Sequence, residues 1–449
     1  MNSKIDFING DTKRSLLKMF MPLLAAMTLT MIYSMVDSFW VGNILGEHGM
    51  SALTAGTAIV LIMNSLSMGM GNGISVMVAK LVGAGEKDRI PGAIATIISV
   101  SAVISLLLCI AGEFLVGPTL KLMGTPEEIF KDAAMYLMIY LIGNAALFLY
   151  MQFTSIFRAF GDPAFQMKGM FLTAVFNAVA DPFFIRISGL AGAAYVTVVS
   201  EIICLLYSVF YYKKHKMFTI DFAGVNMGDV RTILELSLPT SIQAIMPAVS
   251  SAVMISFISP FGMTAMAGFG VARNLELIMF MPTSGMCMAI TAIAGQCLGA
   301  SRYDRADSYL KTGMIMGGGL IAVLSILVVT FSGQLTGLFG QGSEVAAVVG
   351  RFFGIISIGY LLYMLTSCIQ GYITGLGRPG MAMVLLILYY IVFRIPIALV
   401  LRNILGLEGI WYAFLASHVL AMVTGIVMTR MVKAEIDRKK QGSYIVYSN

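Results

Sequence analysis

The chain has 449 residues, of which 58% are hydrophobic and only 12% charged, with a formal net charge of +6 and a mean hydropathy of +0.87. A soluble chain of this size carries roughly 25% charged residues, so the composition excludes a water-soluble enzyme and a nucleic-acid binder and calls for a bilayer as solvent. The five cysteines lie in apolar stretches with neither CxxC nor metal-ligand spacing, which argues against a disulfide framework or a zinc site.

About 20 largely apolar residues cross the hydrocarbon layer. By that ruler, spans are expected near 16–42, 51–79, 90–112, 129–155, 164–187 and 190–212, then 232–259, 264–297, 307–333, 345–374, 380–403 and 407–431. The polar N-terminus shows no cleavage pattern, so the first apolar run is expected to be a retained span. The fold class is therefore an all-α polytopic membrane protein with twelve transmembrane helices. Lys and Arg concentrate in the two tails and in the loops after spans 2, 4, 6, 8 and 10, which together hold 22 of the 29. Both termini are thus expected in the cytoplasm.

The two halves repeat. Leu81-Val82-Gly83-Ala84-Gly85 after span 2 matches Cys297-Leu298-Gly299-Ala300-Ser301 after span 8, and Gly161-Asp162-Pro163 matches Gly377-Arg378-Pro379. Gly189-Leu190 and Gly192 match Gly406-Leu407 and Gly409; Pro22 pairs with Pro239 and Pro182 with Pro396. Six spans separate the copies, an even number, so corresponding helices point the same way. That predicts two six-helix bundles, 1–212 and 231–449, related by a pseudo-two-fold axis along the membrane normal and joined by a cytoplasmic linker at 213–230. Such an architecture encloses a transport cavity.

Most acids lie in loops or at span ends; Asp37 and Asp181 do not. An acid at a helix centre costs about 2.5–3.5 kcal/mol on an insertion scale, which makes it a functional candidate by default, with a carboxylate bracing two helices as the plainer use. Spans 1 and 5 both run outward, which sets Asp37 and Asp181 roughly 8 Å below their outer ends. Thr197 on the descending span 6 is roughly 10 Å in, and Asn177 lies one turn from Asp181 on the same face. Pro182 has no N–H, so it leaves the Ala178 carbonyl without its helical partner and bends the helix there. Freed carbonyls commonly coordinate small cations. Two close carboxylates resist carrying both charges, so the cluster suits either Na⁺, held at Asp37, Asn177 and Asp181, or H⁺; the sequence leaves the choice open.

In the second half the repeat carries Asp37 onto Met254, and Asn177 and Asp181 onto Ile391 and Ile395, so the cluster is not duplicated. The notable groups there are Arg394 and Glu276, candidates for a cavity or gating role. They are expected either to pair with each other or to leave Arg394 snorkelling outward. Gln243 and Gln370 are candidates for lining the cavity or for helix–helix hydrogen bonds. Glu201, further down span 6, is a candidate for a cavity or gating role or for a cytoplasmic-side network. His418 reads as a structural histidine. The glycine-dense 69–73 stretch lacks the βαβ context of a phosphate loop and reads as a site of close helix packing.

These segments resemble the multidrug and toxic compound extrusion (MATE) transporters, in their DinF-like prokaryotic branch. The resemblance spans almost the whole chain and rests on Pro22, Met35-Val36-Asp37, Leu81-Val82-Gly83-Ala84-Gly85, Phe157 to Pro163, Asn177 to Pro182, Gly192 to Thr197 and Phe280-Met281-Pro282. It implies export of organic, often cationic and amphipathic compounds by alternating access in exchange for Na⁺ or H⁺. The residues matching Asp37, Asn177, Asp181 and Thr197 would form the first-bundle cation site, and Pro22 would mark the bend of the first helix. Some relatives carry acids in spans 7 and 10, where this chain has Pro247 and no acid between Phe352 and Gly377. A second-bundle Na⁺ site is therefore not implied.

The leading expectation is a cation-coupled antiporter in the inner membrane of a prokaryote, working as a monomer on small molecules, with no cofactor beyond the coupling ion. A flippase for a lipid-linked saccharide or other lipid is the alternative. An intramembrane enzyme ranks last, since no nucleophile–base pair or metal set can be assembled.

Overall fold

In the structure, a computed structural model, residues 4–337, 339–340 and 342–446 are described, and no strand occurs among them. Twelve stretches of helix among the described residues are long and apolar enough to cross a membrane. The first two spans share one run, α1 (Thr12–Ala84), whose helical dihedrals are interrupted inside only at Gly46, at φ 65° and ψ −152°. Asp11 caps its start by accepting from the Arg14 N–H at 2.7 Å, satisfying one of the first-turn donors that have no helical partner.

The remaining helices of the first half are α2 (Ile90–Leu122), α3 (Glu127–Ala159), α4 (Ala164–Ser188) and α5 (Leu190–His215). There follow α6 (Met227–Ile258), α7 (Met263–Gly299), α8 (Tyr303–Gly337) and α9 (Ser343–Gly375). Span 11 is composite: α10 (Pro379–Ile387), a π-helical turn at Leu388–Phe393, then α11 (Arg394–Leu405). The chain closes with α12 (Leu407–Val446). Several helices overrun their expected spans because hydropathy marks only the apolar part, while the backbone ladder continues into polar sequence.

The repeat is visible as repeated turn geometry. Gly189 and its match Gly406 sit at φ 61°, ψ −143° and φ 62°, ψ −138°. Gly161 and Gly377 have φ 74° and 75°. Gly85 closes α1 in the left-handed region at φ 71°, and its match Ser301 holds φ 57°, a conformation a side chain tolerates only at a cost. From Gly377 to Gly406 the second copy has one residue more than the first copy from Gly161 to Gly189. A π turn takes one extra residue into a helix without ending it; with the surplus placed at Leu388–Phe393 the offset after it is that of Gly189 and Gly406, so Pro182 falls opposite Leu399 and not opposite Pro396 as the pairing of prolines had it.

By internal contacts the chain divides into two compact units, 1–244 with 295–302, and 245–294 with 303–449. In the first unit one apolar cluster gathers Phe157, Phe160, Phe165, Tyr211 and Phe218 near the starts of α1 and α4. A second gathers Val41, Leu120, Tyr136, Leu137, Ile185 and Leu190 around the middle of α1 and the end of α4. The 69–73 stretch of α1 packs as its glycines imply. A Cβ on Gly69 would lie 2.3 Å from the Ser241 Cα, and one on Gly73 would lie 2.7 Å from the Ser237 Cα. Ahead of α1 the chain folds back: the Lys4 N–H donates to the Phe160 carbonyl (2.9 Å), its ammonium pairs with buried Asp162 (3.1 Å), and Phe7 is fully buried. Asp162 also accepts from the Tyr211 hydroxyl at 2.7 Å, so it holds the turn together.

Candidate functional site

Four helices of the first unit bring polar side chains into one apolar surrounding. Asp37 projects from α1, with Tyr33 one turn before it on the same face. Asn177 and Asp181 follow the i,i+4 spacing of α4, and Thr197 and Glu201 follow the same spacing on α5. Such pairs share a helix face, one above the other. Asn177 and Asp181 have no exposed surface at all, and Asp37, Thr197 and Glu201 are each below a tenth exposed. Asn177 Nδ2 donates to Asp181 Oδ1 at 3.2 Å, and Tyr33 Oη donates to Thr197 Oγ1 at 3.3 Å. Asp37 and Asp181 lie within electrostatic reach of each other, and Tyr33 is within reach of both and of Glu201. The four residues expected from the sequence are thus gathered at one place.

The site is short of protein donors. Asp37 Oδ1, Asn177 Oδ1, Asp181 Oδ2, Ser200 Oγ and Glu201 Oε2 are buried and make no hydrogen bond within the protein. Leaving a buried acceptor unmatched costs roughly 1–3 kcal/mol, and more when it carries charge. The helix of α4 continues through Pro182, whose missing N–H leaves the Ala178 carbonyl one partner short within the ladder. Carboxylates, amide oxygens and carbonyls are the donor set that hard, small cations take. A proton on one carboxylate would instead turn an acceptor into a donor. Chemically, the arrangement presents buried oxygens that positive charge would satisfy. Pro22 likewise lies inside α1 without a break in its helical dihedrals.

Sequence reasoning missed the fourth wall. Tyr136 and Tyr140 of α3 stack with ring centroids 6.2 Å apart, Tyr140 Oη donates to Asn64 Oδ1 at 3.2 Å, and Asn144 is buried one further turn along. The stripe Tyr136–Tyr140–Asn144 repeats every four residues, a signal legible in the sequence once phenols are counted as polar.

Glu201 lies within electrostatic reach of Tyr33, Tyr136 and Tyr140. There α3 approaches α5 closely at Gly143, where a Cβ would lie 2.4 Å from Glu201 Oε2.

The second unit also departs from expectation. No ion pair joins Arg394 to Glu276. Glu276 accepts from Tyr360 at 2.8 Å and pairs with Arg273, one turn away on α7, at 3.7 Å. Nor does Arg394 snorkel outward. It is buried, its guanidinium lying 4.5 to 4.8 Å from the ring centroids of Phe414, Tyr389 and Tyr390, and its Nε donates to Ser417 Oγ at 3.0 Å. The π turn supplies two of those rings immediately before Arg394, and cation–π attraction strengthens where water is excluded. His418 is buried beside them, 2.7 Å from the Tyr389 hydroxyl. Gln243 is buried on α6 and Gln370 half-buried on α9.

A family model described as MatE matches the chain twice, over residues 22–183 and 239–400. The two matches begin at Pro22 and Pro239, the prolines paired by the internal repeat. Two proteins of Bacillus subtilis (strain 168) are similar over most of their length. One is named a probable multidrug resistance protein YoeA, 26% identical over 91% of this chain and 92% of that protein. The other is named a probable multidrug resistance protein YpnP, 28% identical over 90% and 92%. Among solved structures, an outward-facing conformation of a multidrug resistance MATE family transporter of the MOP superfamily has the same fold. Its TM-score is 0.92 at 20% identity, over 98% of this chain and all of that one.

Proposed function

We propose that this chain, which belongs to the MATE family of multidrug efflux transporters, is an antiporter that exports organic, cationic or amphipathic compounds in exchange for Na⁺ or H⁺. One observation carries the reading: buried oxygens of Asp37, Asn177 and Asp181 gather in the first unit without protein partners. Their desolvation is unfavourable unless positive charge arrives. An entering ion is therefore bound by the state that holds these groups together, and differential affinity is what lets a ligand bias a conformational equilibrium. Span 1 carries both Asp37 and Pro22, so its shape is the element the ion would bias. Release of the ion to the other side resets it. Substrate leaves in the half-cycle that the ion drives.

The relatives' names support drugs as cargo over lipid-linked sugars. The protein is proposed to act as a monomer in the inner membrane, with its termini on the cytoplasmic side. In proteoliposomes, imposed Na⁺ and H⁺ gradients applied separately identify the ion. Asp37→Asn and Asp181→Asn are each expected to insert normally and to lower ion-driven efflux to the level of protein-free vesicles. Full activity in both variants would overturn the reading.

A further inference from the structure

The first unit has a groove of about 600 Å³ between the starts of α1 and α4 that the transport reading does not use. Its walls are Met21, Leu24 and Thr28 on one side and Met167 and Phe171 on the other, with Lys168 as the charged side chain among its lining. The Thr28 hydroxyl is already engaged with the Leu24 carbonyl at 3.0 Å, so it offers no donor to an occupant. From Met21 to Thr28 the groove runs roughly 10 Å along the helix axis.

Both nearby lysines lie near the starts of their helices. Lys168 enters α4 four residues after its start, one turn before Phe171. Lys18, exposed on α1, precedes Met21 by three residues and Ala25 by seven, and so heads the same stripe. Spans 1 and 5 run in the same direction, so both ammonium groups sit at the end that the charge distribution assigns to the cytoplasm. An apolar trough closed by cations at headgroup level has the form of an amphipathic anion. No acid lines it, which disfavours an organic cation. We infer that this groove binds an anionic phospholipid of the cytoplasmic leaflet, with acyl chain between α1 and α4 and phosphate at Lys168 and Lys18. Basic pockets between spans on that side recognise anionic headgroups by this chemistry. The inference rests on the proposed orientation of the termini, but its readout is lipid association, so it succeeds or fails separately from ion-driven efflux.

The test places a tryptophan in the groove of the full chain, Phe171→Trp, and reconstitutes it in phosphatidylcholine vesicles containing brominated phosphatidylglycerol or brominated phosphatidylcholine. The unmodified chain, with Trp40 and Trp411, gives the background emission. The brominated anionic lipid is expected to quench the new tryptophan about fivefold more effectively than the zwitterionic one. That preference should disappear when Lys18→Gln and Lys168→Gln are added. A reporter at Leu107→Trp, exposed on α2, should show none. Should Phe171→Trp fold poorly, Met21→Trp on the facing wall repeats the measurement. Equal quenching by both lipids in the groove, a preference untouched by removing the lysines, or the same preference at Leu107→Trp would each overturn the inference.

Discussion

Asp181 is fully buried, accepts one hydrogen bond from Asn177 and keeps its second oxygen without a protein partner. That combination is unfavourable for folding alone and fits the proposed uptake of positive charge. The tyrosines around it set the frame. Tyr33 reaches across from α1 to Thr197 on α5, tying two helices at the level of Asp37. Tyr33→Phe and Thr197→Ala should each destabilise the protein, and the double variant should lose less than the sum. The coupling energy from unfolding in detergent is expected at about 0.5–1.5 kcal/mol; strict additivity would mean that the bond does not form. At this scale the sequence showed the acids clearly, because a carboxylate stands out in an apolar run. It concealed the phenols, because the rings of Tyr33, Tyr136 and Tyr140 are largely apolar and do not interrupt a span.

Among the elements, span 11 differs from its counterpart in the first half. Between matched glycines it carries one residue more, and the π turn at Leu388–Phe393 takes up the excess while presenting Tyr389 and Tyr390 to Arg394. Deleting Ile391 should therefore leave a continuous helix and a folded, inserted protein. Deleting Val175 from the regular helix α4 should not, because every later residue of that helix would turn by about 100° and carry Asn177 and Asp181 out of the cluster. The yield of monodisperse protein from the two deletions decides the matter; equal yields would argue against the π turn as the store of the extra residue. Spacing predicted the spans well, and the repeat offsets already differed slightly along this segment. What spacing left open was where the surplus residue goes, since one added residue can be placed in a loop, a bulge or a π turn with the same hydropathy.

For the whole molecule, the repeat puts a boundary in the linker at 213–230, while the compact units meet within α6, and the end of α7 belongs to the first unit. Glycines allow this. Gly69 and Gly73 on α1 let the backbone of α6 approach, and Gly83 lies against the backbone of Gln296, whose side chain donates to the Ala159 carbonyl at 2.6 Å. Gly73→Leu should force these backbones apart at a cost of about 1–3 kcal/mol, read as a lowered unfolding temperature, whereas Gly117→Leu, where nothing lies within 4 Å of an added Cβ, should change little. Comparable losses at both positions would contradict the packing described.

Composition, run length and the recurrence of matched glycine and proline motifs were enough to determine that the chain is a twelve-span membrane protein built from a duplicated half. Those properties are additive along the chain and need no partner to be read. The acids of the candidate site were equally plain, since their solvation penalty exists wherever the span is placed. Only the tertiary structure decided that Glu201 comes within reach of Tyr33, Tyr136 and Tyr140, that Glu276 turns to Arg273 and Tyr360, and that Arg394 is caged by aromatic rings. Each of those outcomes depends on how far one helix is rotated against another and on residues tens to more than a hundred positions apart. A local pattern carries no information about that rotation.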